Sequence, residues 1–359
     1  MGDEATDRDA AAPAAAVDGI EPAGLGEWFA AHVPGVLGPL SYERIAGGHS
    51  NLTYRVTDAD GREWALRRPP LGKTLSSAHD MGREYKVVSA LGATPVPVAP
   101  VHGLCEDEAV NGAPFYVMDF VRGPVLRGVS EAEAAFPEEG DRREIGLRVA
   151  DTLAAIHAVD PDAVGLGDLG RKEDYVSRQL RRWYGQWEKS KARELPAIDQ
   201  VHERLAARIP EQVGASVVHG DYRLDNMILT EAGEVAAVVD WELCTLGDPL
   251  ADVGTLMAYW PERGEEEIAL GMPAVLAPGF PNREEVAARY AEASGRDLSE
   301  LDYYTALGYW KLAIILEGVY ARYAAGGYGQ AGAADSGFEA FARLVERLAD
   351  AAAALDSRD

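Results

Sequence analysis

Residues 216–242 constrain the fold of this chain more than any other segment. They read SVVHGDYRLDNMILTEAGEVAAVVDWE and consist of three short apolar runs joined by polar loops. Short apolar runs between turn residues are typical of small buried strands. From about residue 140 onward the surrounding sequence has long segments with the 3.6-residue apolar spacing of helices, namely 144–159, 174–190, 304–325 and 338–355. The sequence therefore predicts a strand-loop-strand insert inside a helical region.

This insert carries the residue types that phosphoryl transfer requires. His219, Asp221 and Asn226 form the pattern H-x-D-x-x-x-x-N, and Asp240 closes the apolar run VAAVVD. Transfer to a hydroxyl needs a carboxylate that accepts the proton of the attacking group, and we expect Asp221 to be this catalytic base. Transfer also needs oxygen ligands for Mg²⁺, which we expect from Asn226 and Asp240. His219 is predicted to brace the backbone, and the alternative for the whole segment is an ordinary turn rich in Asp and Asn.

The residues before this region predict a smaller, strand-rich lobe. Helical patterns cover 25–33 and 77–91, and the remaining segments alternate apolar and polar residues as strands do. The strand-like segments are YERIAGG, LTYRVTDA, REWALRR and those around APVHGLC and APFYVMDFV. We predict a disordered leader over 1–24, an N-lobe over 25–121 and a helical C-lobe over 122–357. The fold class is therefore α+β, with two lobes.

The charge balance excludes some classes of partner. The 359 residues include 34 basic and 59 acidic ones, for a net charge of −25, which argues against general nucleic-acid binding because that requires a basic face. No apolar run reaches the ~18–20 residues of a membrane helix, so we expect no membrane span. The N-terminal residues also lack the pattern of a secretory signal. Cys105 and Cys244 lie far apart in the sequence, which favours a reducing cytoplasm.

The sequence HGDYRLDNMIL followed by VVDWELCTLGDPLADVG resembles the aminoglycoside phosphotransferase and choline kinase-like superfamily. In particular it is similar to the branch that forms the kinase-like domain of some acyl-CoA dehydrogenase fusions. The resemblance extends from about residue 40 to residue 325. It implies a bilobal protein-kinase-like fold with ATP and Mg²⁺ in the cleft between the lobes. It also implies that Asp252 braces the catalytic loop, whereas Glu242 contacts either metal or solvent.

The same resemblance implies a set of phosphate contacts in the N-lobe. The segment IAGGHSNLTYRV stands where the family has the hairpin that covers the phosphates. Gly47 and Gly48 would let the backbone approach the phosphates, and Ser50 and Asn51 would donate hydrogen bonds to them.

The strand and helix that follow supply the remaining nucleotide contacts. Arg67, the last residue of WALR, would clamp the phosphates where protein kinases have Lys, and Glu84 would be its ion-pair partner. Arg68 is the rival candidate, but strand alternation points it to the opposite face. In FYVMDFVRG, the backbone from Asp119 to Val121 would meet the adenine edge.

The acceptor of the phosphate is indicated by a basic segment within the acidic chain. Residues 171–193 contain eight basic and three acidic residues, a net charge of +5. Four of the basic residues lie on one predicted helical face next to Trp183 and Tyr184; they are Arg178, Arg181, Arg182 and Lys189. The face is either a solvated surface or a docking site for an anionic substrate such as the phosphates of coenzyme A. The branch that the chain resembles includes kinases of 4-hydroxyacyl-CoA thioesters, which agrees with the second reading.

Three other functions remain open from the sequence. An aminoglycoside or other amino-alcohol or sugar kinase would need an acidic pocket for its cationic substrate, and no focused acidic cluster is evident beyond the catalytic loop. A non-catalytic kinase-like binding protein is disfavoured because Asp221, Asn226 and Asp240 are all present. A protein kinase ranks last because no A-P-E motif follows Asp240.

Overall fold

The computed structural model describes residues 17–45, 51–72, 79–269, 273–324 and 337–356. These residues form two compact units. The first contains the chain up to Tyr85 together with Pro100–Phe120, and the second contains Lys86–Ala99 together with the chain from Val121 onward. The segment Lys86–Ala99, which lies within the range predicted for the N-lobe, therefore groups with the second unit.

The first unit is built around a five-stranded antiparallel sheet with the strand order β1-β2-β3-β5-β4. Its elements are α1 (Pro22–His32), β1 (Ser41–Arg44), β2 (Leu52–Thr57), β3 (Glu63–Arg68), α2 (Met81–Leu91), β4 (Val101–Cys105), α3 (Glu108–Asn111) and β5 (Phe115–Asp119). The second half of α2, from Lys86 onward, belongs to the second unit. The described part of α2 thus begins four residues after the predicted start at Ser77, and the residues 73–78 lie outside the described ranges.

One face of this sheet packs against α1 through aromatic side chains. Trp28 of α1 lies edge-on to Phe115, with ring centroids 5.0 Å apart, and Phe29 lies edge-on to Trp64 at 5.9 Å. Such edge-to-face pairs add to the free energy gained by burying the rings. Tyr54 in β2 is fully buried in the same cluster. The packed face fixes the register of β2 and β3, because a slip by one residue would turn every buried side chain outward.

The second unit is mainly helical. Its helices are α4 (Val129–Ala135), α5 (Glu139–Ala158), α6 (Tyr175–Ser190), α7 (Pro196–Ala207), α8 (Leu250–Ala258), α9 (Arg283–Ser294), α10 (Leu301–Ala324) and α11 (Gly337–Asp356). The insert predicted over 216–242 is confirmed as short strands: β6 (Ser216–Val218), β7 (Met227–Leu229) and β8 (Val235–Val238), which β9 (Thr245–Gly247) follows. β6 pairs with β9, and β7 pairs with β8, both antiparallel.

Glycines allow α8 and α10 to cross closely. A Cβ atom on Gly254 would lie 2.2 Å from the carbonyl oxygen of Tyr304, and one on Gly308 would lie 2.7 Å from the carbonyl oxygen of Gly254. Such distances leave no room for any side chain at these two positions. The close crossing brings the middle of α10 to the loop that follows β6. Among the described residues, no helix combines the length and apolar character needed to cross a membrane.

Candidate active site

Asp221 lies on the loop between β6 and a short 3₁₀ helix, Leu224–Asn226. Its side chain is 25% exposed, so the carboxylate is accessible from outside the protein. Asn226 donates its side-chain amide to Asp221, at 2.8 Å to the backbone carbonyl oxygen and 3.1 Å to Oδ2. The carboxylate that the sequence predicted as a base is therefore partly exposed to solvent, and a hydrogen bond from Asn226 fixes one of its oxygens.

Arg223 and Tyr259 complete the surroundings of this carboxylate, and neither was predicted from the sequence. Arg223 Nε lies 3.4 Å from Asp221 Oδ2 and 3.1 Å from Asp225 Oδ1, with its guanidinium 4.9 Å from the Tyr259 ring centroid. Burial disfavours charge on Arg223, but the two carboxylates outweigh it and raise its pKa. Burial, together with the charge of Asp221, raises the pKa of Tyr259, whose hydroxyl therefore stays protonated.

Asn226 and Asp240, the predicted magnesium ligands, lie on adjacent chain segments. The N–H of Val239 donates to the carbonyl oxygen of Asn226 at 2.9 Å, so Asp240 follows directly after a residue bonded to Asn226. Asp240 has φ 66° and ψ 58°, a left-handed conformation that is uncommon for a residue other than Gly. Backbone strain of this kind persists where surrounding contacts impose it, and it clusters at functional sites.

This donor set fits a magnesium ion. Because the Asn226 amide nitrogen bonds to Asp221, its carbonyl oxygen is turned away and is available as a neutral ligand. Asp240 adds a carboxylate, and Mg²⁺ usually completes its shell with phosphate oxygens and water. Within the described ranges, no group of three or more His, Cys, Asp or Glu side chains could hold a metal. One amide and one carboxylate, with phosphate oxygens and water, would then make up the shell of the ion.

His219 and Asp252 hold the backbone of the catalytic loop. The Asp252 carboxylate accepts the N–H of His219 at 2.6 Å and that of Gly220 at 2.9 Å. The fully buried His219 ring donates from Nε2 to the carbonyl oxygen of Val239 at 3.0 Å and accepts the N–H of Asp221 at Nδ1. Both ring nitrogens are thus occupied by backbone groups. Burial raises the pKa of Asp252, but its bond to His157 and the nearby imidazoles outweigh this, so the net pKa is lowered.

Lys311 of α10 is a further neighbour of the loop that sequence reasoning missed. Its Nζ donates to the carbonyl oxygen of Gly220 at 2.7 Å and lies 5.5 Å from the Trp183 ring centroid. Burial lowers the pKa of Lys311, while the carboxylates of Asp221 and Asp252 act in the opposite direction. A lysine within an apolar helical segment gives no sequence signal for such a contact, because only the crossing of α10 with α8 brings it there.

In the first unit, the structure brings together three of the residues predicted for nucleotide binding, Arg67, its predicted partner Glu84, and Asn51. Arg67 Nε forms an ion pair with Glu84 Oε1 at 2.8 Å, and Asn51 Nδ2 lies 3.5 Å from Glu84 Oε2. Glu84 is only 2% exposed, so the pair is shielded from solvent. The rival residue Arg68 is directed elsewhere and donates to the carbonyl oxygens of Gly19 and Asn111. The predicted residues Gly47, Gly48 and Ser50 lie outside the described residues.

The predicted adenine contact begins at the end of β5. The N–H of Asp119 donates to the carbonyl oxygen of Pro100 at 2.8 Å, and its carboxylate lies 2.6 Å from His102 Nε2. The backbone N–H of Asp119 is thus engaged by Pro100, which leaves the carbonyl group of Asp119 as the backbone group for an adenine edge. Val121 is half-buried. Glu242 is half-buried in the 3₁₀ helix Trp241–Leu243 that follows Asp240.

The basic segment forms α6 as predicted, and most of its cations are exposed. Arg181, Arg182 and Lys189 face solvent, whereas Arg178 is half-buried and donates to the carbonyl oxygen of Arg171. The Arg182 guanidinium lies 5.4 Å from the ring centroid of Trp183, the ring that Lys311 also approaches. One indole thus links the basic helix to the catalytic loop.

Comparison with known proteins decides the family. Residues 41–304 match the sequence profile of the phosphotransferase enzyme family, abbreviated APH. The chain belongs to the APH phosphotransferase family. This confirms the resemblance that the two sequence motifs carried.

Relatives of this chain include longer proteins. Mouse acyl-CoA dehydrogenase family member 10 is 35% identical over 327 residues, which cover 88% of this chain and 29% of that protein. The chain thus spans less than a third of the length of this relative. A putative aminoglycoside phosphotransferase from Ralstonia eutropha is 32% identical, with a TM-score of 0.78 and coverage of 94% of this chain and 98% of the other.

A more distant structure agrees on the fold alone. Choline kinase from Cryptosporidium parvum is 12% identical, with a TM-score of 0.64 over 92% of this chain and 95% of the kinase. The predicted kinase-like α+β fold, with a strand-rich N-terminal part and a helical C-terminal part, is therefore confirmed.

Proposed function

We propose that the protein transfers the γ-phosphate of Mg-ATP to a hydroxyl group of a small molecule. The observation that carries this proposal is the arrangement around Asp221, a partly exposed carboxylate bonded to Asn226. Transfer between ATP and an alcohol needs little covalent chemistry from the protein; positioning and charge stabilisation supply most of the rate. A fixed carboxylate beside two oxygen groups that would bind magnesium supports this chemistry.

Each residue of the catalytic loop has a separate task in this proposal. Asp221 orients the acceptor hydroxyl and takes its proton as the bond to phosphorus forms. Asn226 and Asp240 would hold Mg²⁺. When bound, the ion would neutralise negative charge on the phosphates and orient them for transfer. Asp252 and His219 keep the loop backbone fixed through the bonds described above.

Residues of the first unit would hold the nucleotide. Arg67 would contact the phosphates, and its ion pair with Glu84 would keep the guanidinium in place. Asn51 would add a donor, and the backbone of Asp119 and Val121 would meet the adenine edge, with Asp119 using its carbonyl oxygen. We accordingly assign 25–121 to nucleotide covering and 122–357 to catalysis. Cys105 and Cys244 are both buried and neither is in a disulfide, which is consistent with the cytoplasm as the proposed location.

For the acceptor, we favour a hydroxyacyl thioester of coenzyme A. The basic face of α6, made of Arg178, Arg181, Arg182 and Lys189, would bind its phosphates. This face is connected to the catalytic loop, because the Trp183 indole lies beside both Arg182 and the lysine that bonds to Gly220. An anion held at α6 would thus lie near Asp221.

The walls near Asp221 support an acceptor with an apolar chain. A cavity of about 20 Å³ beside Asp221 is lined by Leu243, Tyr259, Lys311 and Ile315, among others. Leu243 is 39% exposed, which leaves an apolar surface next to the catalytic carboxylate. Among the described residues that line this cavity, Asp221 is the only carboxylate. This apolar surface would suit an acyl chain better than a polycationic amino sugar.

The test is ATP turnover by the purified chain with Mg²⁺, screened against hydroxyacyl-CoAs, amino sugars and choline-like alcohols. We expect phosphate transfer to a hydroxyacyl-CoA to exceed transfer to the two cationic classes. Preferred turnover of an amino sugar would replace the acceptor and keep the kinase. Binding of Mg-ATP without transfer to any acceptor would instead favour a non-catalytic kinase-like binding protein.

A further inference from the structure

Gly220, the residue before Asp221, is held on both sides of its backbone. Its N–H donates to Asp252 Oδ1 at 2.9 Å, and its carbonyl oxygen accepts from Lys311 Nζ at 2.7 Å. Its φ of +87° belongs to the left-handed region, and a Cβ atom there would lie 3.0 Å from the carbonyl oxygen of Leu243. The loop therefore enters Asp221 through a conformation that only Gly adopts readily, fixed by one acidic and one basic side chain.

The two hydrogen bonds to Gly220 come from different helices. Asp252 lies in α8, 32 residues from Gly220 in sequence, whereas Lys311 lies in the middle of α10, 91 residues from it. Because the carbonyl of Gly220 belongs to the same peptide plane as the N–H of Asp221, a bond to that oxygen fixes the orientation in which Asp221 begins. A shift of that plane moves the catalytic carboxylate, and misplacement by about 1 Å can cost on the order of 10²-fold in rate.

An ammonium group at this place needs an explanation other than packing. Lys311 is half-buried, and burial of its head lowers its pKa. Methionine would fill similar space without desolvating a charge. Two cavities of about 20 Å³ each are lined by both Lys311 and Gly220, and each has room for about one water molecule. The hydrogen bond to Gly220 and the approach to the Trp183 ring both use this charge, and the hydrogen bond is the one of the two that acts on the backbone of the catalytic loop.

We propose that Lys311 is a positioning residue, which fixes the Gly220 carbonyl and thereby holds Asp221 in the orientation that accepts the proton of the substrate hydroxyl. This role rests on the proposed kinase activity. It is distinct from substrate binding, since Lys311 acts through the backbone of the loop.

The test compares Lys311→Met and Lys311→Arg with the parent in steady-state kinetics. We expect Lys311→Met to lower kcat at least ~10-fold and to leave KM for ATP and for the acceptor within about twofold. Lys311→Arg should turn over faster than Lys311→Met, because it keeps a charged donor. A raised acceptor KM at unchanged kcat would overturn the proposal, because it would make Lys311 a substrate contact.

A matched control separates positioning from general stability. Arg142 is also a buried cation that donates to backbone carbonyls, those of Pro137 and Pro278 among them, at the start of α5. Arg142→Met should lower Tm and leave kcat unchanged at a temperature where the variant is folded. If the loss of kcat in Lys311→Met merely follows its loss of Tm, the positioning role is wrong.

A second measurement does not depend on catalysis. Hydrogen exchange of the amides in residues 216–224 should be faster in Lys311→Met than in the parent, and unchanged in Arg142→Met. Unchanged exchange in Lys311→Met would contradict the positioning role even if the kinase assignment holds. A parent without phosphate transfer to any acceptor, but with faster loop exchange in Lys311→Met, would instead contradict the proposed function alone.

Discussion

The side-chain amide of Asn226 donates to Asp221 twice, to its backbone carbonyl oxygen and to its carboxylate. Because of these two bonds, the amide nitrogen of Asn226 is used within the loop, and its oxygen remains for the proposed metal. This arrangement also couples the two predicted roles, because a metal held by the Asn226 oxygen and a base held by the Asn226 nitrogen share one side chain. The proposed base and the proposed metal ligand are thus kept in a fixed relation before any ligand binds.

Removal of the Asp240 carboxylate should abolish stabilisation by Mg-ATP. In Asp240→Ala, ATP should raise Tm no more with Mg²⁺ than without it, because the carboxylate that joins the ion to the protein is gone. Thermal shifts at matched nucleotide concentrations measure this.

Asp174→Ala is the matched control for this change. Asp174 and Asp240 are the two described residues other than Gly with positive φ, at 54° and 66°. Both variants thus place Ala in a left-handed backbone, but Asp174→Ala should keep the full Mg²⁺-dependent shift. Equal stabilisation of Asp240→Ala and the parent would count against Asp240 as a ligand.

Charge reversal on α6 should weaken binding of the acyl-CoA and leave the KM for ATP unchanged. Each charge-assisted contact to phosphate contributes on the order of 1.5–3 kcal/mol, so Arg178→Glu with Arg182→Glu should raise the acceptor KM tenfold or more. The effect should shrink as salt rises, because added ions screen the attraction between these charges and the phosphates. KM for both substrates, measured over a range of salt, tests this.

A second pair of arginines serves as its control. Arg343 and Arg347 of α11 are also four residues apart and largely exposed, with ion-pair partners Glu339 and Glu267. Reversal of both charges to Glu should leave the acceptor KM unchanged. If the α6 variant behaves like the α11 variant toward every phosphate-bearing acceptor, α6 is a solvated surface.

The folded protein should lose stability as pH falls below about 6.5, in part through His157. Burial lowers the pKa of His157, although its bond to Asp252 acts in the opposite direction. Its ring is also within hydrogen-bonding distance of Tyr290, at 2.8 Å. As pH falls, the imidazole of His157 is therefore protonated at a higher pH in the unfolded chain than in the folded chain. The stabilisation that neutral His157 contributes is complete above the pKa of the unfolded chain and is lost as pH falls below it. One proton corresponds to a slope of at most about 1.4 kcal/mol per pH unit.

Denaturant unfolding between pH 7.5 and pH 5.5 measures this slope. His157→Gln should be less stable at neutral pH but should show a shallower decline, because Gln does not titrate. Parallel declines in the parent and the variant would show that His157 is not the group responsible.

The sequence predicted the catalytic insert well, because its signals are local. Turn residues, apolar runs and the spacing from His219 to Asn226 lie within one short segment, and the structure has β6, β7 and β8 there. The long helices were predicted for the same reason: the segment 304–325 corresponds to α10, Leu301–Ala324. The order of strands in the N-terminal sheet, by contrast, depends on distant pairings and was not predicted.

Contacts made by tertiary crossing could not be predicted. Lys311 lies 91 residues from Gly220 in sequence, and only the close approach of α8 and α10 brings it to the loop. Tyr259 likewise gives no signal in the sequence that it borders Asp221. Arg67 and Glu84 were predicted as partners from family resemblance, and the structure places them in an ion pair. Their proposed contact with phosphate stays a prediction.

The most direct test of the kinase assignment is the turnover of Asp221→Asn with Mg-ATP and the authentic acceptor. Asn cannot accept the hydroxyl proton but nearly matches Asp in shape, so kcat should fall by at least ~10²-fold while the Kd for ATP barely changes. Near-normal turnover in Asp221→Asn, at unchanged affinity for ATP, would contradict Asp221 as the base and with it the central claim.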